Sequence, residues 1–380
     1  MPELQLSFLS QNTGLIGKKR RRRYKRPREW ADYIEQNFDL AYLQEVWTNR
    51  TVRRLRKEFK HSPSIHDKNA VAMFRSSGLA TLVWDKTIVN KYWEKYIRQA
   101  SADRLAKKGA ILTEINLGIG SSTLQIYNTH MNAARPNRAR TNYVEERLIT
   151  VRQLFELGKF IIRTRKPGNP AIVCGDLNLD GEAENLFPID LILGNKGVSR
   201  DRIRRGLKDD FWESVDNRQG EKLKKSLTHN VPGDYASRRE FGLSVQEKTQ
   251  YQLVRDMFIV LGFRDAWGEN NPNNCYTTKL GSRDGENLSE WRLRQSIMAT
   301  PDPLSDNVFA LDSSSVAPAA KRLDYLFFSP GSAKNGCRLD IPEVRRTYIP
   351  RPDQEGVPSY DLKWMSDHAG LACKLNFTAI

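Results

Sequence analysis

The chain has 380 residues and a formal charge of +16, from 61 Lys and Arg against 45 Asp and Glu. Its length allows a core that needs no disulfide stapling, and 39% hydrophobic with 28% charged residues excludes wholesale disorder. No apolar run approaches the roughly 20 residues that span a bilayer, which excludes an integral helical membrane protein. Residues 1–10 alternate between apolar and polar, without the charged start and apolar centre of a secretion signal. Four cysteines, Cys174, Cys275, Cys337 and Cys373, lie far apart and form no CxxC or Cys/His pattern. They read as reduced, mostly buried thiols, and the expected location is cytoplasmic, with peripheral membrane attachment as an extension.

The charge is unevenly spread. Residues 18–28 read KKRRRRYKRPR and hold nine cations, and the rest of the chain carries only +7. Such a run favours a polyanionic surface, either nucleic acid or acidic lipid headgroups. A solvated loop or a localisation tag is the plainer alternative.

Residues 4–12 alternate like a strand before Thr13-Gly14 and the basic run break the pattern. Residues 29–37 carry Trp30, Tyr33 and Ile34 at helical spacing, and 39–47 (DLAYLQEVW) form a short apolar run typical of a buried strand. A basic helical stretch follows at 50–60. Residues 70–74 and 78–84 are predicted to pair across 75–77, and 110–117 with 123–129 form a second predicted hairpin. A long amphipathic helix is expected over 142–164, then a fully apolar strand at 171–174. From 181 to about 262 the chain is charged and mostly helical, with apolar anchors at 188–193, 211–215 and 249–261; this reads as an insertion. Residues 270–315 are predicted to be a long polar surface loop. Strand character returns at 322–329, 343–348 and 369–377. Strands on both sides of one long helix suggest an α+β fold, two stacked sheets flanked by helices, in a single domain over 1–380.

Polar residues gather at the ends of these apolar strands, where a sheet delivers them to one rim. They are Asn12, Gln44-Glu45, Asn128-Thr129-His130, Gly175-Asp176-Leu177-Asn178, Arg322-Leu323-Asp324-Tyr325 and Ser366-Asp367-His368. Each alone has a structural explanation as a turn, cap or core residue. As a set they supply carboxylates and amides for a hard cation and two of the chain's five histidines for proton transfer. That inventory suits metal-assisted hydrolysis of a phosphoester.

The ordered series Asn12, LQE (43–45), NTH (128–130), GDLN (175–178), RLDY (322–325) and SDH (366–368) resembles the endonuclease/exonuclease/phosphatase superfamily. The resemblance covers nearly the whole chain apart from 181–262 and the polar loop. It implies a four-layered α/β/β/α sandwich, deoxyribonuclease-like, with two mainly antiparallel sheets. It also implies a Mg²⁺ cofactor, replaceable by Mn²⁺, on Glu45 with Asn12 at or beside the ion and Asp367 as a further metal-site carboxylate. His368 is implied to be the base for water, oriented by Asp324. Asp176 and Asn178 are implied to position nucleophile and phosphate, and His130 to stabilise phosphate oxygens or protonate the leaving group.

The segment DRLAKKG (103–109) resembles the P-loop-like motif of neutral sphingomyelinases, and GFRDAW (262–267) and SDHAGL (366–371) are similar to the same branch. By that resemblance Lys108 joins Asn178 and His130 in substrate binding. An exposed helix end with a glycine stop is the plain alternative for 103–109. Two features depart from the branch, the Arg-rich run directly after Asn12 and the insertion at 181–262. The expected activity is that of a sphingomyelinase-like phospholipase C, a phosphodiesterase that reaches lipid through the basic loop at 18–28. A nuclease of the same fold, or a catalytically silent membrane- or RNA-binding adaptor, are the competing expectations.

Overall fold

The computed structural model describes residues 4–13, 27–47, 49–61, 63–67, 77–97, 107–119, 122–132, 140–179, 254, 257–259, 261–270, 324–332, 336–347 and 370–380. The described elements begin with β1 (Leu4–Asn12), α1 (Pro27–Asn37), β2 (Leu40–Gln44), α2 (Asn49–Glu58), β3 (Ser64–Asp67), β4 (Ala80–Val83) and β5 (Ile88–Lys95). Next come β6 (Gly109–Asn116), β7 (Thr123–His130), α3 (Arg140–Thr164) and β8 (Ala171–Asp176). The C-terminal part supplies β9 (Arg264–Asp265), α4 (Ala266–Asn270), β10 (Asp324–Ser329), β11 (Cys337–Asp340), β12 (Val344–Thr347) and β13 (Gly370–Ala379).

Two sheets form. One has the order β11-β13-β1-β2-β4-β3 with β12 also on β13; the other runs β5-β6-β7-β8-β10-β9. Only β1–β2 and β7–β8 pair in parallel; the other pairs among the described residues are antiparallel. Parallel pairs need a crossover, and the long helix α3 supplies the one between β7 and β8 while α1 supplies the one between β1 and β2.

Because strand side chains alternate between faces, each sheet contributes to two apolar layers. Leu6, Phe8, Leu40 and Tyr42 meet Leu124, Ile126, Ile172, Cys174, Leu326 and Phe328 between the sheets. Phe8 and Tyr42 stack there at 5.3 Å. The intervening residues Leu9, Ala41, Leu43 and Leu82 pack outward on Trp30 and Ile34 of α1 and Val52 and Leu55 of α2. On the far side, Tyr127, Val173, Tyr325 and Phe327 pack on Leu154, Phe155, Phe160 and Ile161 of α3. Three apolar layers between four structural layers give the expected α/β/β/α sandwich.

The helices expected at 29–37, 50–60 and 142–164 form as α1, α2 and α3, and the expected 110–117/123–129 hairpin forms as β6–β7. The partner expected for 78–84 differs. Residues 70–76 lie outside the described set, and β4 pairs instead with β2 and with Ser64–Asp67. β3, β5, β9 and β11 escaped the sequence reading because they are two to eight residues long and carry polar residues at the sheet edges; β5, for example, has no fully buried position. The plainer alternative for 103–109, an exposed helix end, does not hold where it can be seen. Gly109 opens a buried strand, and a Cβ there would meet the Glu94 carbonyl at 2.1 Å. Residues 18–26, most of the 181–262 segment and all of 271–320 lie outside the described residues. The C-terminal anchor of that segment is visible, however. Val254, Met257, Phe258 and Leu261 complete the α3 layer, with Phe258 stacked on Phe327 at 4.2 Å. The 262–267 segment is structural, since β9 closes the second sheet against β10 and Trp267 fills the layer between the sheets. No helix among the described residues is long and apolar enough to cross a membrane.

Towards one rim the inter-sheet layer turns polar, and it is held by cross-sheet hydrogen bonds. Gln44 Nε2 donates to Asn128 Oδ1 at 2.7 Å, and Asn128 Nδ2 donates to the Leu43 and Ala80 carbonyls at 3.2 and 3.3 Å. Asn128 is fully buried, so removing its amide strands groups that water cannot reach. Asn128→Leu is expected to cost about 2 kcal/mol or more in urea unfolding. Asn128→Asp should also destabilise the fold, because a carboxylate would face two carbonyls. Burial between the layers also pushes the Cys174 and Cys373 thiols well above their ordinary range. With Cys337 equally buried, these three should resist thiol reagents in the native protein and label only on unfolding; rapid native labelling at any of them would contradict the packing.

Candidate active site

The same alternation that builds the core places the polar residues. In β1, Leu6 and Phe8 face the other sheet, so Asn12, two further steps of two along, shares their face. In β8 Ile172 and Cys174 lead to Asp176, in β7 Leu124 and Ile126 lead to His130, and in β10 Asp324 precedes Leu326 and Phe328 on one face. Parallel pairing then sets Asn12 opposite Gln44 and His130 opposite Asp176, and antiparallel pairing sets Asp324 opposite Asp176. Five strand ends from two sheets therefore deliver their polar residues to one rim.

Close approach at the rim depends on two glycines. Gly175 has φ +128, and a Cβ on it would lie 2.0 Å from the Thr129 carbonyl. Any other residue would push β7 and β8 apart one step before the His130–Asp176 pair. Gly78, at φ +70, accepts the face of the Trp47 ring, which a Cβ would meet at 3.0 Å. Glu45 and Asn178 are themselves in left-handed backbone, at φ 60 and φ 52. For Asn this conformation is common; for Glu it stores strain, which the surrounding loop must overcome. The Val46 N–H to Gly78 carbonyl bond of 2.8 Å and the Thr13 N–H to Gln44 carbonyl bond of 3.0 Å brace Glu45 on both sides.

His130 is the hub. Its Nε2 lies 3.0 Å from Lys108 Nζ, 3.5 Å from Asp176 Oδ2 and 3.9 Å from Glu45 Oε1. An ammonium can only donate, so in the one contact at hydrogen-bond distance Nε2 accepts and the ring proton sits on Nδ1. Both carboxylates pull the other way, towards a protonated Nε2. We assign the resting tautomer from the shorter contact. Lys108 also donates to the Met131 carbonyl at 2.5 Å, and Asn178 Nδ2 donates to the same carbonyl at 3.0 Å. Asn12 Nδ2 donates to Asp176 Oδ2 at 2.9 Å across the two sheets, and the Asn178 N–H donates to Asp176 Oδ1 at 2.8 Å. Tyr96 and Thr129 share a 2.5 Å hydroxyl contact beneath the hub.

Asn12, Glu45, Lys108, His130, Asp176, Asn178 and Asp324 are thus brought to one rim, all of them buried. Asp367 and His368 lie outside the described residues. Trp47 was not singled out as a site residue by its sequence, yet its ring lies 5.7 Å from that of His130. The signal was its place two residues after Glu45, which the LQEVW run displays without explaining. Asn128 belongs to the sheet-to-sheet seam, not to the chemistry.

Three carboxylates against one ammonium, with neutral amides beside them, form an oxygen-rich buried set of the kind that hard divalent cations take. Among the described residues no three His, Cys, Asp or Glu side chains converge enough to enclose an ion by themselves. The donor chemistry therefore fits a cation held by Glu45 with amide and water oxygens.

No family model matches the chain. The human protein "Sphingomyelin phosphodiesterase 2" is 28% identical over 269 residues, which cover 67% of this chain and 58% of that protein. Its Rattus norvegicus counterpart is 26% identical over 225 residues, 57% of this chain and 48% of that one. The chain therefore spans about half the length of the curated relatives it matches. Among solved structures, SmcL matches with a TM-score of 0.50 at 16% identity, covering 98% of this chain and 99% of SmcL. TDP2 from D. rerio, complexed with single strand DNA product, matches with a TM-score of 0.51 at 14% identity, covering 98% and 100%. At such identities the solved structures establish the fold alone. In sequence the chain is thus similar to these sphingomyelin phosphodiesterases, and in fold to SmcL and TDP2, in keeping with the resemblance carried by its ordered strand-end motifs.

Proposed function

We propose that the chain is a divalent-metal-dependent phosphodiesterase that hydrolyses a phospholipid headgroup ester in the manner of a sphingomyelinase-like phospholipase C. The observation that carries this reading is the convergence of Lys108, Asp176 and Glu45 within 3.9 Å of one imidazole nitrogen, that of His130. The sequence relatives named as sphingomyelin phosphodiesterases support a lipid substrate.

Glu45 and Asn12, joined by Asp367, would hold Mg²⁺, which when bound supplies positive charge against the phosphate oxygens. The chain's own groups account for the rest. His368, oriented by Asp324, would take a proton from water as its oxygen bonds to phosphorus and the bond to the lipid oxygen breaks. That leaving oxygen needs a proton. His130 would supply it from Nε2 once that nitrogen has taken up a proton from solvent and Lys108 has turned from it to the phosphate. Lys108 and the Asn178 amide would meet phosphate oxygens, the amide as a donor fixed in place before substrate arrives.

A nuclease is the second reading, favoured by the +16 charge. The two readings separate when the purified protein is offered labelled sphingomyelin, a phosphoinositide and DNA side by side, with Mg²⁺ and with EDTA. Hydrolysis of sphingomyelin that EDTA abolishes is expected. Cleavage of DNA with every lipid intact would replace the lipid reading by the nuclease one. Glu45→Gln and His130→Asn should each lower the rate by about 100-fold or more while leaving the circular dichroism spectrum unchanged. Full activity in either folded variant would remove that residue from the chemistry.

A further inference from the structure

The helix α2 carries two stripes with opposite tasks. Val52, Leu55 and Phe59 are buried against α1 and the first sheet. Arg53, Arg56 and Lys57 stand at the i, i+3, i+4 spacing of one helical face, and these three and Lys60, two residues past the helix end, are exposed. His61, next along the chain, is also exposed. Among the described residues none of these four cations forms an ion pair, whereas Arg28, Arg163, Lys166 and Arg264 each do. Like charges at i, i+4, here Arg53 with Lys57, repel each other and weaken the helix. The only acidic residue of α2, Glu58, is half-buried. The C-terminal end of the helix is pinned by the Glu35 carboxylate of α1, which accepts from the Lys60 N–H at 2.9 Å and lies 2.9 Å from His61 Nδ1. Glu35 thus holds the helix end and leaves the cationic stripe uncompensated.

We infer that the exposed face of α2 is a docking surface for an anionic lipid bilayer, separate from the basic run at 18–28. The inference rests on the lipid reading of the active site for its choice of partner, and on charge complementarity for the surface. A strand of nucleic acid is held in a basic groove with aromatic platforms. Here the stripe has no aromatic residue, since Phe59 and Trp84 are buried in the layer beneath. Nor does α2 project as a helix that enters a groove in a duplex, because α1 lies against it in the same layer. A row of unpaired cations on a broad face instead suits a flat, anionic surface. The first residue of α2, Asn49, is four positions after Glu45, so the helix begins within roughly 14 Å of the catalytic rim. A bilayer that engages this face therefore lies close to the site.

The test uses the full chain with EDTA, so that binding is read without turnover. Flotation is measured with phosphatidylcholine vesicles and with vesicles in which about a fifth of the lipid is phosphatidylserine. Each cation near such a surface is worth about five-fold in partitioning. The triple variant R53Q/R56Q/K57Q should therefore bind the phosphatidylserine vesicles roughly 100-fold more weakly. Its hydrolysis of sphingomyelin in neutral detergent micelles, with Mg²⁺ restored, should match the unsubstituted protein. Unchanged vesicle binding in the folded variant overturns the inference. So does equal binding of the unsubstituted chain to neutral vesicles, or a loss confined to binding of a single-stranded oligonucleotide. If the triple variant loses vesicle binding while no lipid is hydrolysed by either protein, the docking surface stands and the lipase reading falls. If micellar sphingomyelin is hydrolysed but vesicles are not bound, the lipase reading stands and the docking surface falls.

Discussion

The molecule depends on how it buries polar groups between two sheets. Most of the inter-sheet layer is apolar, but at one rim it contains Asn12, Gln44, Asn128, His130, Asp176 and Asp324, each almost wholly shielded from water. Such burial is tolerable only where each group finds partners. Those partners come from the opposite sheet, as Asn12 to Asp176 and Gln44 to Asn128 show. The cross-sheet bonds hold the two sheets in one relative position at the place where their strand ends must meet. Stability and catalytic geometry are therefore coupled, and the rim is rigid because it is part of the core.

Backbone constraints serve the same arrangement. Gly175 lets the parallel pair β7–β8 close to a distance that no side chain permits. Glu45 accepts a left-handed backbone that its side chain disfavours, and the loop through Val46 and Gly78 holds it there. Strain at a functional residue persists only when its surroundings over-determine it. Here the surroundings are a hydrogen bond on either side and the Trp47 ring packed on Gly78. The outer layer adds a division of labour within one helix, as α2 contributes Val52 and Leu55 to the core and turns Arg53, Arg56 and Lys57 outward.

Much of this is legible in the sequence because the side-chain period of a strand is two. Once β1, β2, β7, β8 and β10 are recognised, the positions of Asn12, Gln44, His130, Asp176 and Asp324 on the inter-sheet face follow from counting back to Phe8, Tyr42, Ile126, Cys174 and Leu326. The polar edge strands were harder to read. β5 and β11 lack the sustained apolar signal of a central strand, since one edge or face meets water. The partner of β4 was misassigned, because pairing between short strands is decided by packing across the sheet and not by nearness along the chain. Trp47 carried no chemical signature of its own. Its importance lies in a contact with a residue 83 positions away, which local pattern does not encode.

By itself the sequence determined the α+β class, the order of the strand-end motifs and the face on which each motif residue lies. These are consequences of local periodicity and of residue chemistry. Only the tertiary structure decided that Lys108, Asp176 and Glu45 share one nitrogen of His130, that Asn128 serves the seam and not the site, and that Arg53, Arg56 and Lys57 stand exposed without acidic partners. Distances between residues from different strands depend on how two sheets pack and which groups they must satisfy in the gap. That is a property of the assembled core, and no segment of the chain contains it alone.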